Sequence, residues 1–168
     1  MNPEDLKALV TEVVREVVAR GTGGRRIALG ADHGGFELKA RLKDFLEGQG
    51  HRVLDLGTDS REPCDYPDFA RAVALEVASG RCEAGIVIDG AGLGSAMVCN
   101  KVAGIRAAPC HDLRTALSSR QHNDANVLAL GAGTAPPEGI EAMVKAWLET
   151  PFEGGRHQRR VDKIERGA

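Results

Sequence analysis

The sequence predicts an α/β protein built on a five-stranded parallel sheet with helices on both faces. Three observations carry this reading. Five short aliphatic runs, "RIALG", "HRVLDLG", "AGIVIDG", "GIRAAPC" and "ANVLALG", have the composition of strands. Segments with helical periodicity separate them, and right-handed crossovers between parallel strands lay such helices over both sheet faces. With 168 residues, 42% of them hydrophobic, the chain fills one core and falls short of two domains of ordinary size.

The elements follow in order. Asn2 suits a helix cap, Pro3 the first helical position, and Glu4 and Asp5 the positive end of the helix dipole. Leu6, Leu9, Val10, Val13, Val14, Val17 and Val18 then recur at helical spacing, with Lys7, Glu12, Arg15, Glu16 and Arg20 mostly on the other side. Residues 1–20 therefore read as an amphipathic helix, and "GTGGRR", residues 21–26, as a flexible linker. The main domain occupies 27–168, with helices expected over 36–49, 68–79, from about Ser95, 112–121 and 137–148. In parallel sheets ligands collect beyond the carboxyl ends of the strands. Asp32 and His33, Asp89 to Ser95, and His111 with Asp112 all fall there.

Composition excludes several function classes. A net charge of −2, from 22 basic and 24 acidic side chains, provides no broad attraction to nucleic acid or to an anionic membrane. No apolar run approaches the ~20 residues that cross a bilayer. Cys64, Cys82, Cys99 and Cys110 form no CxxC pair, and no secretory h-region precedes them, so reduced thiols in a cytoplasmic protein are expected. The five histidines show no recurring short ligand spacing, so no metal is expected.

Four constellations remain, each with a bland alternative. In "DGAGLGS", Asp89 ends a strand and Gly90, Gly92, Gly94 and Ser95 form a turn whose N–H groups can hold an anion. The bland reading is a tight strand-to-helix connection. A dinucleotide fingerprint is disfavoured, because Ser95 stands where its last glycine belongs and the run follows the third strand, not the first. Asp32 and His33 suit sugar hydroxyls and a phosphate, or else a helix cap beside a surface imidazole. His122 and Asn123 offer a proton shuttle and an oxyanion donor, or else a helix end and a turn. Arg156 and Arg160, four apart on a helix, can converge on a phosphate or form a solvated basic face.

Taken together, "IALGADHGGFELK", "DYPDFA", "GAGLG" followed by "NK" and "GIRAA", "RQHNDANVLALG" and "PFEGGRHQRR" resemble the ribose-5-phosphate isomerase B family, which includes the galactose-6-phosphate isomerase subunits. The resemblance runs from about Ile27 to Ile164. It implies a three-layer α/β/α Rossmann-like sandwich, a homodimer or homotetramer with sites shared between subunits, and cofactor-free interconversion of an aldose phosphate and a ketose phosphate. It assigns ring opening to His122 and the enediolate oxygen to the backbone of 90–94 with Asn123. Asp32, His33 and Tyr66 would line the sugar site, and Arg156, His157 and Arg160 would hold the phosphate from the neighbouring subunit.

This chain departs from the family pattern at the base. Many members carry a cysteine where Asp89 stands and a threonine where Ala91 stands, and another branch uses a glutamate at the position of Ser95. Asp89 is then the expected base, since a carboxylate can reach both carbons of a 1,2-proton shift. An ordinary Asp, with a pKa of ~3.9, is feeble at neutral pH, so burial would have to raise it against the loop N–H groups that lower it. A non-catalytic sugar-phosphate binder, or an isomerase of another pentose or hexose phosphate, is the alternative. Cys99, inside the next helix, reads as a buried small residue. Family members usually begin near the first strand, and the added amphipathic helix resembles peptides that direct enzymes into bacterial microcompartments. Its expected partner is a shell protein, with docking on the parent domain or on a second copy as the alternative.

Overall fold

A computed structural model describes residues 23–166. The expected helix over 1–20 lies outside them. Five strands, β1 (Arg26–Ala31), β2 (Arg52–Asp55), β3 (Ala84–Asp89), β4 (Ala107–Pro109) and β5 (Val127–Gly131), form one sheet in the order β2-β1-β3-β5-β4. All four pairings are parallel. The helices are α1 (Phe36–Gly48), α2 (Tyr66–Ala78), α3 (Leu93–Cys99), α4 (Leu113–Asn123), α5 (Pro137–Glu149) and α6 (Gln158–Glu165), with single 3₁₀ turns at His33–Gly35 and Gly155–His157.

Side-chain alternation along the strands builds two cores. Ile27, Leu29, Ile86, Ile88, Leu128 and Leu130 point to one face and pack against Leu38, Leu42 and Leu46 of α1, Ala116 of α4, and Ile140, Val144 and Trp147 of α5. Ala28, Val87, Val127 and Ala129 point the other way, against Ala70, Val73 and Ala74 of α2 and Ala96 and Cys99 of α3. The result is a three-layer α/β/α Rossmann-like sandwich, as expected. The central strands β1, β3 and β5 are buried almost throughout, which is why they read as continuous apolar runs. β2 and β4 are short edges.

Local chemistry moves several boundaries from the expected ones. Asp65 is the N-cap residue of α2 and Pro67 sits in its first turn, so the helix opens at Tyr66 and not at 68. Asp112 caps α4 through a reciprocal box with Thr115, which assigns this acid to helix initiation. The helix expected to carry both arginines is divided: Arg156 lies in the 3₁₀ turn and Arg160 in α6. The strand begins at Arg26, one residue inside the expected linker. Cys99 is fully buried, donates to the Ala70 carbonyl at 3.3 Å, and has its thiol pushed up to about 12 by burial, in keeping with an inert packing role.

Strand order sets where ligands can sit. β1 and β3 are neighbours whose outgoing connections lie on opposite faces, α1 on one and α3 on the other. Such a divergence opens a crevice at the carboxyl ends. The crevice holds the 3₁₀ turn after β1 and the glycine loop after β3.

Candidate functional site

Asp89 is the last residue of β3 and is only 5% exposed. Its carboxylate turns back into the loop that follows. Oδ1 accepts the N–H groups of Ala91, at 2.9 Å, and of Gly92, while Oδ2 accepts that of Ser95 at 2.9 Å. Gly92 makes this possible: its φ of +77° is left-handed, and a Cβ there would lie 2.8 Å from the backbone carbon of Leu130. The N–H groups of the glycine loop thus converge on an anion, the chain's own carboxylate.

Two opposing influences act on that carboxyl group. Burial is the largest and pushes its pKa up, but hydrogen bonds from the Ser95 hydroxyl and N–H, and from Gly92 and Ala91, together outweigh it. Asp89 is held below the ordinary carboxylate range. It is a stable anion here, and a weaker base than an exposed aspartate.

Of the other predicted sugar-site residues, Asp32 adjoins the strand that carries Asp89, and Tyr66 lies against the loop that follows it. Asp32 follows β1, is buried, and accepts from Gly34 N at 2.9 Å and Gly35 N at 3.2 Å, capping the 3₁₀ turn. Its own N–H donates to the carbonyl of Ile88, the residue before Asp89. A Cβ on Gly34 would lie 3.9 Å from Gly90 N, so the two loops approach closely. His33 is exposed and its Nδ1 accepts the Cys64 N–H at 3.1 Å. Tyr66 lies across the loop: a Cβ on Gly94 would fall 2.5–2.7 Å from its ring and hydroxyl. Gly94 is there to admit the phenol.

The remaining predicted residues gather elsewhere. α4 runs antiparallel to the strands, so His122 and Asn123 precede the start of β5 at Val127, whereas Asp89 pairs with Gly131 at its finish. By the ~3.3 Å rise per residue, roughly 13 Å of strand separates those two edges. The His122 ring stacks on His157, with centroids 4.4 Å apart and planes 15° from parallel. Both rings face Glu153, whose Oε2 lies 3.9 Å from His122 Nε2 and 3.6 Å from His157 Nε2. Burial, then the proximity of His122 and Arg156, lowers the His157 pKa, so this imidazole is neutral at pH 7. Arg156 and Arg160 are exposed beside it.

Sequence reasoning missed Glu153, Ser118 and Cys64. Glu153 had a signal, standing four residues before His157, as does Ser118 before His122, its Oγ 3.2 Å from Nδ1. Cys64 touches His33 from a distant loop and had none.

The described residues thus hold two groups at opposite ends of β5, a carboxylate on a glycine loop and a cluster of histidines and arginines. The profile of the family described as Ribose/Galactose Isomerase matches residues 27–164. The chain belongs to that family. Ribose-5-phosphate isomerase B of Escherichia coli (strain K12) is 48% identical over 140 residues, covering 83% of this chain and 94% of that protein. D-erythrulose-4-phosphate isomerase of Pectobacterium atrosepticum is 42% identical, covering 82% and 91%. The solved ribose-5-phosphate isomerase B of Clostridium thermocellum superposes with a TM-score of 0.83 at 49% identity, covering 84% of this chain and 95% of that one. The chain is thus a sugar-phosphate isomerase of the ribose/galactose isomerase family. Among the described residues no helix is long and apolar enough to cross a membrane.

The depressed pKa of Asp89 makes a stability prediction. Because its folded value lies below the unfolded one, the ionised carboxylate contributes fully above about pH 3.9, and this contribution is lost as pH falls through the folded value. Asp89→Asn is expected to cost about 1–3 kcal/mol near neutral pH, the range for leaving buried donors poorly paired. Denaturant unfolding at a series of pH values should show the gap between variant and wild type closing below about pH 4. A gap that does not change with pH would contradict the assignment.

Proposed function

We propose that the protein interconverts an aldose phosphate and its ketose through an enediolate, with ribose 5-phosphate and ribulose 5-phosphate as the pair and Asp89 as the base. The single observation that carries this reading is a buried carboxylate lodged among the N–H groups that an enediolate oxygen requires. Ribose-5-phosphate isomerase B of Escherichia coli, at 48% identity, supports the substrate. The Pectobacterium relative named for D-erythrulose 4-phosphate makes a tetrose phosphate the second candidate.

The geometry couples binding to base strength. In the free protein the loop amides weaken Asp89 as a base. A substrate oxygen that takes one or more of those amides removes the hydrogen bonds while burial persists, so the carboxyl pKa climbs when a base is needed. Asp89 then takes the proton from C2, the C2–H electron pair forms the enediolate, and the same carboxyl group returns the proton to C1. The hydroxyl proton on O2 passes to O1. Metal and cofactor have no assigned part in this sequence.

His122, Asn123, Arg156, His157 and Arg160 lie at the far edge of the sheet from Asp89, so we assign them to the site of a second copy. There His122 would open the furanose ring and the arginines would hold the phosphate. Leu93 and Met97, 48% and 67% exposed on α3 beside the glycine loop, offer the apolar surface such a partner would cover. A homodimer is the smallest assembly with complete sites, and a homotetramer would pair two of them.

Turnover of ribose 5-phosphate by wild type, Asp89→Asn and His122→Asn, followed as ketose formation in chelator-treated buffer, tests both points. Each variant alone is expected to lose activity by at least about 100-fold, the low end for a positioned acid–base group. Hybrids co-expressed from the two variants should regain activity, because one of the two sites in each hybrid dimer is intact. Full activity in Asp89→Asn would remove this residue from the chemistry, and inactive hybrids would place both groups in one chain's site.

We further propose that residues 1–20 direct the enzyme into a bacterial microcompartment by binding a shell protein, with the residues between 20 and the start of β1 at Arg26 as tether. Support comes from the amphipathic pattern and from a family match that starts at residue 27. Deleting residues 1–22 should leave turnover unchanged and abolish co-purification with assembled shells. Retained encapsulation would end this reading.

A further inference from the structure

Arg106, the residue before β4, reaches from the end of α4 to the end of α6 with its side chain only 16% exposed. Its Nε donates to the carbonyls of Asn123, at 3.1 Å, and Asp124, at 3.0 Å, and its Nη2 donates to the Asp124 carbonyl at 2.8 Å. Those carbonyls close α4, whose last turn carries His122, and a cation is favoured at that end of a helix. Nη1 points the other way and donates to Glu165, the last residue of the helix that carries Arg160. The root of the side chain is fixed as well, because Arg106 N donates to Asn126 Oδ1 at 2.8 Å and Arg106 O accepts the Asn126 N–H at 3.1 Å.

The turn after α4 needs this support. Asp124 has a φ of +46°, and among the described residues it is the only non-glycine in left-handed backbone. Its carboxylate is held from two sides, Oδ1 by Arg120 Nη1 at 2.9 Å and Oδ2 by Arg106 Nη2 at 3.4 Å. Such backbone persists where its surroundings determine it. Asn123 and His122 directly precede this residue, so a relaxed turn displaces both.

We propose that Arg106 is a positioning residue for the isomerase reaction, its guanidinium fixing the spacing between His122 with Asn123 on α4 and the arginines Arg156 and Arg160 before and within α6. It acts through those groups and not by contact with the substrate, so the proposal rests on their assignment to the site. Arginine suits the task because its N–H donors form a rigid fork that serves acceptors on two elements at once, whereas lysine offers one flexible ammonium. The two arms have separable effects. The contacts to Asn123 and Asp124 govern ring opening and the enediolate oxygen, hence kcat, and the contact to Glu165 governs the hold on phosphate, hence KM.

Steady-state kinetics of full-length wild type, Arg106→Ala, Arg106→Lys, Glu165→Gln and His122→Asn test this, on whichever sugar phosphate the wild type turns over, ribose 5-phosphate or a tetrose phosphate. Circular dichroism and thermal melting normalise each rate to folded protein. Arg106→Ala is expected to lower kcat by up to about 100-fold, the cost of a ~1 Å misplacement, and to raise KM. Arg106→Lys, which keeps the charge, should change both constants in the same direction. Glu165→Gln should raise KM and leave kcat near that of wild type. Methylguanidinium, entering the cavity of about 520 Å³ that Arg106 lines with Asn123 and Glu165, should restore kcat to Arg106→Ala and leave wild type unaffected. A contact that only stabilises the fold would lower the melting temperature and leave both constants of the folded protein unchanged. That result in the Arg106 variants, or an unchanged KM in Glu165→Gln, would overturn the proposal. An active His122→Asn would instead remove the site assignment itself, whereas an inactive one beside unaltered Arg106 variants overturns the positioning alone.

Discussion

The hydrogen bonds between the Asp89 carboxylate and the amides of the loop that follows it are the interaction on which the site depends. They satisfy donors at the start of α3 that no side-chain cap serves, since Gly92 at that position has no side chain. They hold a charge at a depth where it could not otherwise persist. They also fill, in the free protein, the place to which the proposed mechanism assigns the reacting oxygen. One contact therefore supports the fold and, in the mechanism proposed above, regulates the chemistry, because a ligand that takes the amides must compete with a covalently tethered anion.

In the proposed mechanism, that competition is how Asp89 serves at the position where the resemblance places a cysteine in many family members. A thiol must be deprotonated to act, whereas a carboxylate arrives charged and must be prevented from being too comfortable. The loop achieves the opposite until it is engaged elsewhere. Strand order contributes the other half of the logic. β1 and β3 diverge at the crevice, bringing Asp32 and Asp89 together, while the antiparallel run of α4 carries His122 to the far edge. Within one chain the histidine and arginine half of the constellation stands at the opposite end of β5 from the carboxylate half, and it is by the proposed pairing with a second copy that the two would meet.

Much of the fold was readable in the residues. Apolar runs such as "GIVI" and "VLAL" mark strands buried on both faces, and Leu38, Leu42 and Leu46 mark the buried stripe of α1. Boundaries were less so, because caps decide them: Asp65 and Pro67 start α2 before its apolar stripe begins. The sequence singled out Asp89 and His122, but the state of neither could be read from it. Whether burial or hydrogen bonding governs Asp89 depends on where Oδ1 and Oδ2 point, and only the left-handed turn at Gly92 settles that. Glu153 escaped notice because its meaning comes from a stacked pair of rings brought from two separate elements. Periodicity carries no trace of such a meeting.

The central claim is that Asp89 is an unusually acidic carboxyl group in the free protein and becomes more basic when a substrate oxygen takes its amides. Carbon-13 NMR of aspartate-labelled protein, assigned with Asp89→Asn and titrated with and without saturating ribose 5-phosphate, reads this directly. Asp89 is expected to titrate below the ordinary value of ~3.9 in the free protein and to shift clearly upward in the complex. A free-state value at or above the ordinary one, or no change on binding, would contradict it.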